Sequence, residues 1–473
     1  MLKIFIGVIG IGFVRGLLPL IVVPIFINEW GSQDYSVWLE SMAISAFLGL
    51  FGLGLNNFGV NRSQIAFKQD KPSKYAIYDS LLTLNIIIYL TVIFLSFFFV
   101  NIIDLALHLE NKNLVYIFAF YNAATILHSY INLSLRTLEK FHISLYLSIA
   151  YNVILYSGII LFIFVETSLE GVAFWMFLAI HLSIIITFLI LRYSYGIKFK
   201  FRRIKKRYLL YIYKSYKFLY FQVADYVRIN LPIVFLGSNV NPLLLVTYTV
   251  NRTLANLISQ VYLVLHNTIM QKVTSNFAEG NPIDPKIIYQ IVFFIMLPIL
   301  CSTAIILIES YDYILSFWIR DNSDSINNLS YAFLLICSSF LYSIWNLGRI
   351  FLVATNNFSR LSVLSLFHSI GFMGLGIIGF YLEGLLGFIL GGIVAEIFFG
   401  IILINYEIFK FLEINTRELI TIIIYLLMTI SGALVSIFLI DSILLSFAFS
   451  FIIYGLIIIL ILLKFRKIIM QAS

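Results

Sequence analysis

The sequence predicts an all-α protein that crosses a membrane many times. Its 473 residues are 61% hydrophobic and only 11% charged, and the mean hydropathy is +0.99. Soluble domains carry about 25% charged residues. The chain also contains many apolar runs about twenty residues long, and its Lys and Arg collect in the segments between alternate runs. These three observations together predict a polytopic membrane protein.

Apolar runs of membrane-spanning length divide the chain into about fourteen predicted helices. The first run is too long for a signal peptide, and no small-residue cleavage site follows it. The tight turn expected between 381 and 384 separates two spans, and the glycine-rich run FLGLFGLGLNNFG in the second span is expected to pack closely or bend. The predicted spans are 4–27, 37–60, 78–102, 114–135, 143–165, 171–191, 218–238, 243–268, 287–308, 328–352, 361–381, 384–405, 418–440 and 442–463.

The charges of the connecting segments predict the orientation. With the N-terminus in the cytoplasm, the inside segments hold 25 of the 31 Lys and Arg, and the outside segments hold only Lys112 and Arg320. Positively charged loops stay on the cytoplasmic side of a membrane, so both termini are predicted to be cytoplasmic. The basic stretch KFKFRRIKKRYLLYIYKSYK (198–217) is typical of a helix on the anionic inner leaflet. No nucleic-acid-binding fold accompanies it.

A short repeat divides the chain into two similar halves. RGLLPLIV (15–22) in span one matches RINLPIVF (228–235) in span seven, with Arg, Leu and Pro at the same offsets. Six predicted spans precede the basic stretch and six follow it before residue 405, so both halves enter the membrane from the same side. This predicts two six-helix lobes in a parallel pseudo-twofold repeat, with substrate bound between them. The predicted domains are a first lobe (1–195), a basic cytoplasmic linker forming an interfacial helix (196–217), a second lobe (218–410), and an additional helix pair with a cytoplasmic tail (411–473).

Four arginines lie within the predicted spans: Arg15, Arg228, Arg252 and Arg349. A charge at the bilayer centre costs about 2.5–3.5 kcal/mol on insertion scales, so a compensating partner is expected. Arg349 is close enough to a cytoplasmic span end to reach the interface. Arg15, Arg228 and Arg252 are the candidates for binding a negatively charged substrate in a hydrated cavity, since the planar guanidinium matches phosphate oxygens.

Three acidic residues within the spans are candidates for ion pairs or coupling: Glu40, Asp225 and Glu396. Asp225 and Arg228 are three residues apart on one helix and can neutralise each other, while Glu40 or Glu396 can pair with Arg15 or Arg252 across helices. Intramembrane histidines, His368 among them, are expected as hydrogen-bonded core residues rather than proton relays. The two cysteines offer neither a disulfide framework nor a metal site. No catalytic residue, metal ligand or cofactor is predicted.

These features resemble the MOP exporter superfamily and, within it, the Wzx-type polysaccharide flippases, over residues 1–465. The resemblance rests on two six-helix halves with an appended pair and on arginines in spans one, seven and eight. Two segments are also similar in texture: NEWGSQDYSVWLESMAISAFLGLFGLGLNN (28–57) and VTYTVNRTLANLISQVYLVLHNTIMQKVTSNFAEGN (246–281). The sodium-site signature of the multidrug branch is not found.

The resemblance implies an alternating-access carrier of the bacterial inner membrane. Its substrate would be an undecaprenyl-diphosphate-linked oligosaccharide repeat unit for O-antigen or capsule assembly, flipped from the cytoplasmic to the outer leaflet. Arg15 and Arg252 would meet the diphosphate first, with Arg228 next, and the polyprenyl tail would remain in lipid between spans one and eight. Membrane lipids, a polysaccharide polymerase and a chain-length regulator are the implied partners, and the coupling ion stays open.

Two alternatives remain. A multidrug or other lipid exporter of the same superfamily would share the fold, although cationic drugs usually require acidic cavity residues. A membrane polysaccharide polymerase would be an enzyme, and such enzymes generally present a large external loop. The longest predicted outside segment, 309–327, has only 19 residues, so a transporter rather than an enzyme is predicted.

Overall fold

The computed structural model describes residues 2–52, 54–56, 59, 63, 74–137, 140–165, 168–196, 199–201, 206–278, 285–320, 326–354 and 359–439. These residues are almost all helical, and no strand occurs among them. The helices are α1 Leu2–Ala46, α2 Lys74–Leu107, α3 Lys112–Thr137, α4 Phe141–Val165, α5 Leu169–Tyr193, α6 Lys206–Ile229, α7 Leu231–Gly237, α8 Pro242–Ala278, α9 Pro285–Glu309, α10 Tyr311–Ile319, α11 Leu329–Ala354, α12 Ser359–Ala395, α13 Asn405–Phe411 and α14 Thr416–Leu439. A 3₁₀ segment, Phe47–Gly52, follows α1, and a π-helix, Glu396–Ile404, joins α12 to α13. The predicted all-α polytopic class is confirmed.

The chain divides into two compact units, unit 1 (Met1–Val246) and unit 2 (Thr247–Ser473). Unit 1 contains α1 to α7, and unit 2 contains most of α8 and the helices that follow. The finer domain limits at 195, 217 and 410 and the twofold relation between the halves stay predictions.

Eight helical stretches of the described chain are long and apolar enough to cross a membrane, by length and composition. Two of them, Leu18–Gly52 and Ser359–Phe411, each overlap two predicted spans. Predicted spans seven, eight and thirteen are helical but are not among the eight, and span fourteen (442–463) lies outside the described residues. The number fourteen therefore stays a prediction, whereas the multi-pass character is evident.

The outward surface of these helices is apolar. On α2, Leu90, Phe94, Phe98 and Ile102 expose 56%, 62%, 56% and 65% of their surface. Monomeric water-soluble proteins rarely expose apolar patches of this extent, whereas a helix in lipid satisfies its backbone internally and presents such side chains to acyl chains. The exposed face of α2 is therefore a lipid-facing surface.

The chain reverses within α1 at Gly31, whose backbone lies at φ 74° and ψ 179°. The ring centroids of Phe26 and Trp38 are 5.1 Å apart, although twelve residues of straight helix would separate them by about 18 Å. Trp30 stacks on Phe26 at 4.3 Å. This aromatic cluster packs the two arms together and places predicted spans one and two in a hairpin.

The sequence predicts that the second arm of α1 continues as α-helix to residue 60, but it does not. It ends at Ala46 and tightens into the 3₁₀ segment. Gly54 then adopts φ 64°, where a Cβ would contact the backbone of Phe218. The Gly54 N–H donates to Gln222 Oε1 at 2.9 Å. The glycine-rich run bends the chain, as expected, so that α6 can approach it closely.

A second hairpin lies within α12, where Glu383 (φ −137°) and Gly384 (φ 61°) break the helix. This is the tight turn predicted between 381 and 384. The arms approach through glycines: a Cβ on Gly387 would contact the Gly379 carbonyl oxygen, and a Cβ on Gly379 would contact that of Gly387. Small residues permit such close packing of helices in lipid.

The RxxLP repeat does not form the same local structure in both halves. Residues 15–22 continue through α1 with Pro19 inside it, whereas residues 228–235 include a helix break. There α6 ends at Ile229, and α7 begins at Leu231 with Pro232 near its start. Proline cannot donate a backbone hydrogen bond and clashes with the preceding turn, which favours an interruption there. The single helix predicted over 218–238 is therefore wrong.

Candidate functional site

The first two predicted substrate-binding arginines belong to unit 1. The backbone of Arg15 lies in α1, and its side chain is outside the described part of the structure. Arg228 lies in the last turn of α6 and is half-buried. It shares a helical stripe with Phe221 and Ala224, both buried, since residues four and seven apart lie on one helix face. The proximity predicted for Arg15 and Arg228 stays a prediction.

The end of α6 that carries Arg228 is positioned by two contacts with the bend after α1. Gln222 accepts the Gly54 N–H, and the ring of Tyr226 lies 5.7 Å from that of Phe47. Asp225, one turn before Arg228, is exposed. The helix break at Asn230 follows immediately, so Arg228 lies where the α6 carbonyls end. A cation is favourable at a helix C-terminus because the last carbonyl groups carry partial negative charge.

Glu40 lies on the second arm of α1 and packs against Gly237, the last residue of α7. A Cβ at position 237 would collide with the Glu40 side chain, so glycine there allows the carboxylate close to the α7 backbone. Glu40 is half-buried. The sequence predicts that Glu40 can pair with an arginine on another helix. It gives no reason to expect contact between Glu40 and α7.

The third predicted arginine, Arg252, belongs to unit 2 and is half-buried on α8. Its guanidinium carbon lies 5.9 Å from the ring centroid of Tyr248, one turn earlier, within range of a cation–π interaction. The adjacent Asn251 is fully buried and accepts a hydrogen bond from the Tyr311 hydroxyl at 2.7 Å. The same hydroxyl accepts the Asn328 N–H at 3.1 Å. Tyr311 thus joins α8 to the starts of α10 and α11 beside Arg252.

Glu396 forms the most deeply buried charged cluster of the described chain. Its carboxylate oxygen Oε2 accepts the indole N–H of Trp345 at 2.8 Å and lies 3.0 Å from His368 Nε2. The side chains of His368 and Glu396 are 1% and 0% exposed. The centroids of the Trp345 and His368 rings are 5.0 Å apart. Three helical segments, α11, α12 and the π-helix, therefore meet at one carboxylate oxygen.

The sequence identifies His368 and Glu396 separately, but it does not predict their contact or the participation of Trp345. The signal was the tight turn at Glu383 and Gly384. In an antiparallel helix pair, residues at similar distances from the turn face each other, and the packed pairs Gly376–Phe388 and Gly392–Phe372 obey this register. His368 and Glu396 have the same register, so the hairpin alone predicts their contact.

The side chain of Arg349, which the sequence predicts can reach the interface, makes a hydrogen bond within its own helix. It is half-buried, and its Nη1 donates to Asn346 Oδ1 at 3.4 Å. The backbone carbonyl of Asn346 in turn accepts the Tyr262 hydroxyl at 3.0 Å. The Tyr262 hydroxyl thus joins α8 to α11 about one turn from Arg349.

Comparison with known proteins identifies the fold. No family model matches the chain, and no curated protein matches it. Solved structures do match. The chain is similar to the lipid II flippase MurJ in an inward closed conformation, with 16% identity, a TM-score of 0.64, and coverage of 98% of this chain and 99% of that one.

Multidrug transporter structures match over a smaller share of this chain. A MATE structure in the straight conformation has 13% identity and a TM-score of 0.62, and covers 87% of this chain and 97% of that one. An outward-facing MATE family transporter of the MOP superfamily has 15% identity and a TM-score of 0.62, with coverage of 88% and 96%. The chain therefore shares the fold of these solved structures, and its apolar helices make it a multi-pass membrane protein. These relatives are transporters and flippases rather than enzymes.

Proposed function

We propose that this protein flips an undecaprenyl-diphosphate-linked oligosaccharide repeat unit from the cytoplasmic to the outer leaflet of the bacterial inner membrane. The observation that carries the proposal is the extent of the structural matches. The lipid flippase covers 98% of the chain, whereas the MATE structures cover 87% and 88%. The remaining tenth is about the size of the predicted additional helix pair, 411–473. An anchored lipid substrate therefore fits the whole chain better than a drug does.

The first helix of that additional pair is firmly attached to unit 2. The Lys286 ammonium lies 2.7 Å from the Glu418 carboxylate, and the Tyr425 hydroxyl donates to the Phe294 carbonyl at 2.8 Å. Both contacts join α14 to α9. This first helix is thus built into the fold of unit 2, which supports a role for it in the transport of a lipid-linked substrate.

The arginines support an anionic head group. Arg228 and Arg252 are half-buried, and Arg252 lies on an aromatic face. Guanidinium groups bind phosphate oxygens through two parallel hydrogen bonds, so they suit a diphosphate. In the proposed cycle, Arg15 and Arg252 meet the diphosphate and Arg228 assists. Asp225, one turn from Arg228, would neutralise it when substrate is absent, and the polyprenyl tail would stay in lipid throughout.

The test compares cells that lack the gene with cells that carry wild type, Arg252→Ala or Arg252→Lys. A glycan probe that reaches only the outer membrane face reports where the lipid-linked repeat unit accumulates. Wild type should restore outer-face labelling, Arg252→Ala should not, and Arg252→Lys should restore it partly, because lysine retains the charge without the planar fork. Arg360→Ala is the matched control, because Arg360 is exposed and forms a long ion pair with Glu407, 3.8 Å between the nitrogen and oxygen atoms.

Outer-face accumulation of single repeat units in cells lacking the gene would contradict the proposal, because translocation would then proceed and polymerisation would fail. Export by Arg15→Ala and Arg252→Ala at wild-type levels would remove the diphosphate assignment alone. Partnership with a polymerase and a chain-length regulator would be tested by copurification.

A multidrug or other lipid exporter is the second candidate, because the MATE structures match with TM-scores of 0.62. It predicts that cells lacking the gene become sensitive to cationic drugs while their surface polysaccharide remains normal. The polysaccharide phenotype and the drug phenotype therefore separate the two functions.

A further inference from the structure

The short helix α10 (Tyr311–Ile319) connects two helices that are long and apolar enough to cross a membrane. The preceding helix α9 ends at Glu309, and the following helix α11 begins at Leu329. A segment between two such helices lies at one face of the membrane, and the sequence predicts that this face is the outer one. The aromatic residues of α10 are Tyr311, Tyr313, Phe317 and Trp318.

A hydrogen bond shows that α10 begins beside α8 rather than beyond its end. The Tyr311 hydroxyl donates to Asn251 Oδ1 at 2.7 Å, and α8 begins at Pro242. The helical residues between Pro242 and Asn251 measure about 14 Å. On the other side, Asp312 accepts a hydrogen bond from Asn327 at 3.1 Å, just before α11. The start of α10 is therefore set back along α8, at the level of the third turn of that helix.

The surface of α10 has four stripes, since residues four apart share one face of a helix. The stripe that packs against the protein consists of Tyr311, Leu315 and Ile319, which expose 1%, 1% and 0% of their surface. Successive residues are turned by about 100° around the axis, which places the other stripes in a fixed order. These stripes are the exposed polar pair Asp312 and Ser316, the aromatic pair Tyr313 and Phe317, and the half-buried pair Ile314 and Trp318.

This order of stripes matches a helix that lies in the plane of the membrane interface. The polar pair and the half-buried apolar pair are on opposite sides of the helix, so one can face water while the other faces the membrane interior. The aromatic pair then points sideways, away from the protein. Tyr313 and Phe317 are 72% and 77% exposed. Aromatic side chains are enriched at the level of the lipid headgroups, where a ring has both apolar and polar surroundings.

Two further observations favour lipid as the partner of the aromatic pair. The first turns of α11, next to the bond between Asp312 and Asn327, expose Leu329 and Phe333 at 48% and 36%, so exposed apolar side chains continue onto a membrane-crossing helix. The segment 309–327 also contains four acidic residues and only one basic residue. Anionic lipids attract basic rather than acidic segments, so the contact that this segment can make with a membrane is apolar.

We propose that α10 is an interfacial anchor, in which Tyr313 and Phe317 insert among the lipid headgroups at the membrane face where α9 ends. The anchor holds that end of unit 2 at the lipid surface. The bond from Tyr311 to Asn251 connects it to the residue next to Arg252. This inference does not depend on the proposed function, because it concerns the membrane and not the transported molecule.

The first test determines which stripe meets lipid. A spin label is attached to Ser316→Cys or to Phe317→Cys in the protein that carries Cys301→Ala and Cys337→Ala, and the protein is reconstituted into phosphatidylcholine vesicles. Molecular oxygen concentrates in lipid, whereas a nickel chelate stays in water. The label in Phe317→Cys should collide mainly with oxygen and lie within about 10 Å of the lipid phosphates. The label in Ser316→Cys should collide mainly with the nickel chelate.

Two reference positions calibrate the collisions. Phe94→Cys is the lipid reference, since Phe94 is 62% exposed on the lipid-facing surface of α2. Asn239→Cys is the water reference, in the exposed turn between α7 and α8. A label in Phe317→Cys that behaves as the one in Asn239→Cys would overturn the proposal, because the aromatic pair would then face water. Contact with lipid only after addition of phosphatidylglycerol would also overturn it, since the attachment would then depend on charge.

The second test uses Trp318 as a native probe of depth. Brominated phosphatidylcholine quenches indole fluorescence, and the Trp318 signal is the difference between wild type and Trp318→Phe. Quenching should be strong in wild type and largely lost in the double variant Tyr313→Asn and Phe317→Asn, because the helix leaves the interface. Leu105→Asn is the matched control, since Leu105 is 82% exposed near the end of α2, and it should be quenched as wild type is.

Two results of the quenching experiment would contradict the anchor. Equal quenching in wild type and in the double variant would mean that Tyr313 and Phe317 do not hold the helix at the lipid surface. Absence of Trp318 quenching in wild type would mean that α10 lies away from lipid. The second result needs no aromatic-pair variant, so the proposal can be refuted even if the double variant fails to fold.

Discussion

The hydroxyl of Tyr311 should be worth several kilocalories per mole to unit 2. Tyr311 is 1% exposed, donates to Asn251 Oδ1 at 2.7 Å and accepts the Asn328 N–H at 3.1 Å. The substitution Tyr311→Phe leaves a buried carbonyl and a backbone N–H without this partner, at about 1–3 kcal/mol each. We expect a loss of about 2–4 kcal/mol, which multiplies the unfolding equilibrium constant by about 30 to several hundred.

Equilibrium unfolding in detergent micelles, followed by tryptophan fluorescence, measures this loss. Trp318 lies on the same short helix and provides a local probe. Tyr313→Phe is the matched control, since Tyr313 is 72% exposed on the same helix, and it should change stability by less than about 0.5 kcal/mol. Equal stability of Tyr311→Phe and Tyr313→Phe would refute the reasoning.

The buried Tyr311 hydroxyl also predicts that the stability of unit 2 depends on pH. Burial raises the pKa of Tyr311 above its ordinary value of about 10, and the hydrogen bonds that its hydroxyl makes with Asn328 and Asn251 oppose that rise. Because the folded-state pKa is the higher one, this contribution to stability is complete below about pH 10 and is lost as the pH rises through the folded value. The difference between wild type and Tyr311→Phe should stay constant from neutral pH to about 10 and narrow above it.

Two further predictions concern unit 2. Gly387→Val should separate the α12 arms at the Gly379 carbonyl. It should lower the melting temperature sharply, because overpacking by one side chain costs about 1–3 kcal/mol or more. Gly374→Val is the control, since nothing lies within 4 Å of a Cβ at that position, and its melting temperature should be close to that of wild type. Lys286→Glu should loosen α14 by about 0.5–1 kcal/mol, seen as faster proteolysis of the C-terminal segment, and the exchange with Glu418→Lys should restore resistance. Failure of the exchange would exclude the ion pair as the cause.

The helices and their turns could be predicted because apolar length and glycine position determine them locally. The aromatic residues around Gly31 and the glycines around Gly384 are evident in the sequence, and both turns lie at or near the predicted places. The end of the second span was not predictable in the same way. Its run of apolar residues continues past Ala46, and only the approach of α6 to Gly54 explains why the α-helix stops.

The candidate site was only partly predictable, because charge identifies a residue while packing selects its partner. Glu396 stood out as an acid in an apolar run, but two of its partners come from other helices, and one of them, Trp345, is an ordinary apolar residue in the sequence. The break at Asn230 was not predicted because the apolar run continues through Pro232. A proline in a helix can be accommodated or can end it, and the surrounding contacts decide which occurs.

The helix α6 runs without a break from Lys206 to Ile229 and so connects the second part of the basic stretch (198–217) to Arg228. Twenty-four helical residues measure about 36 Å. A tilt of about ten degrees at the basic end therefore displaces the other end by about 6 Å. If the basic end of α6 lies on a membrane surface, as the sequence predicts, anionic lipids that attract it also change the position of Arg228.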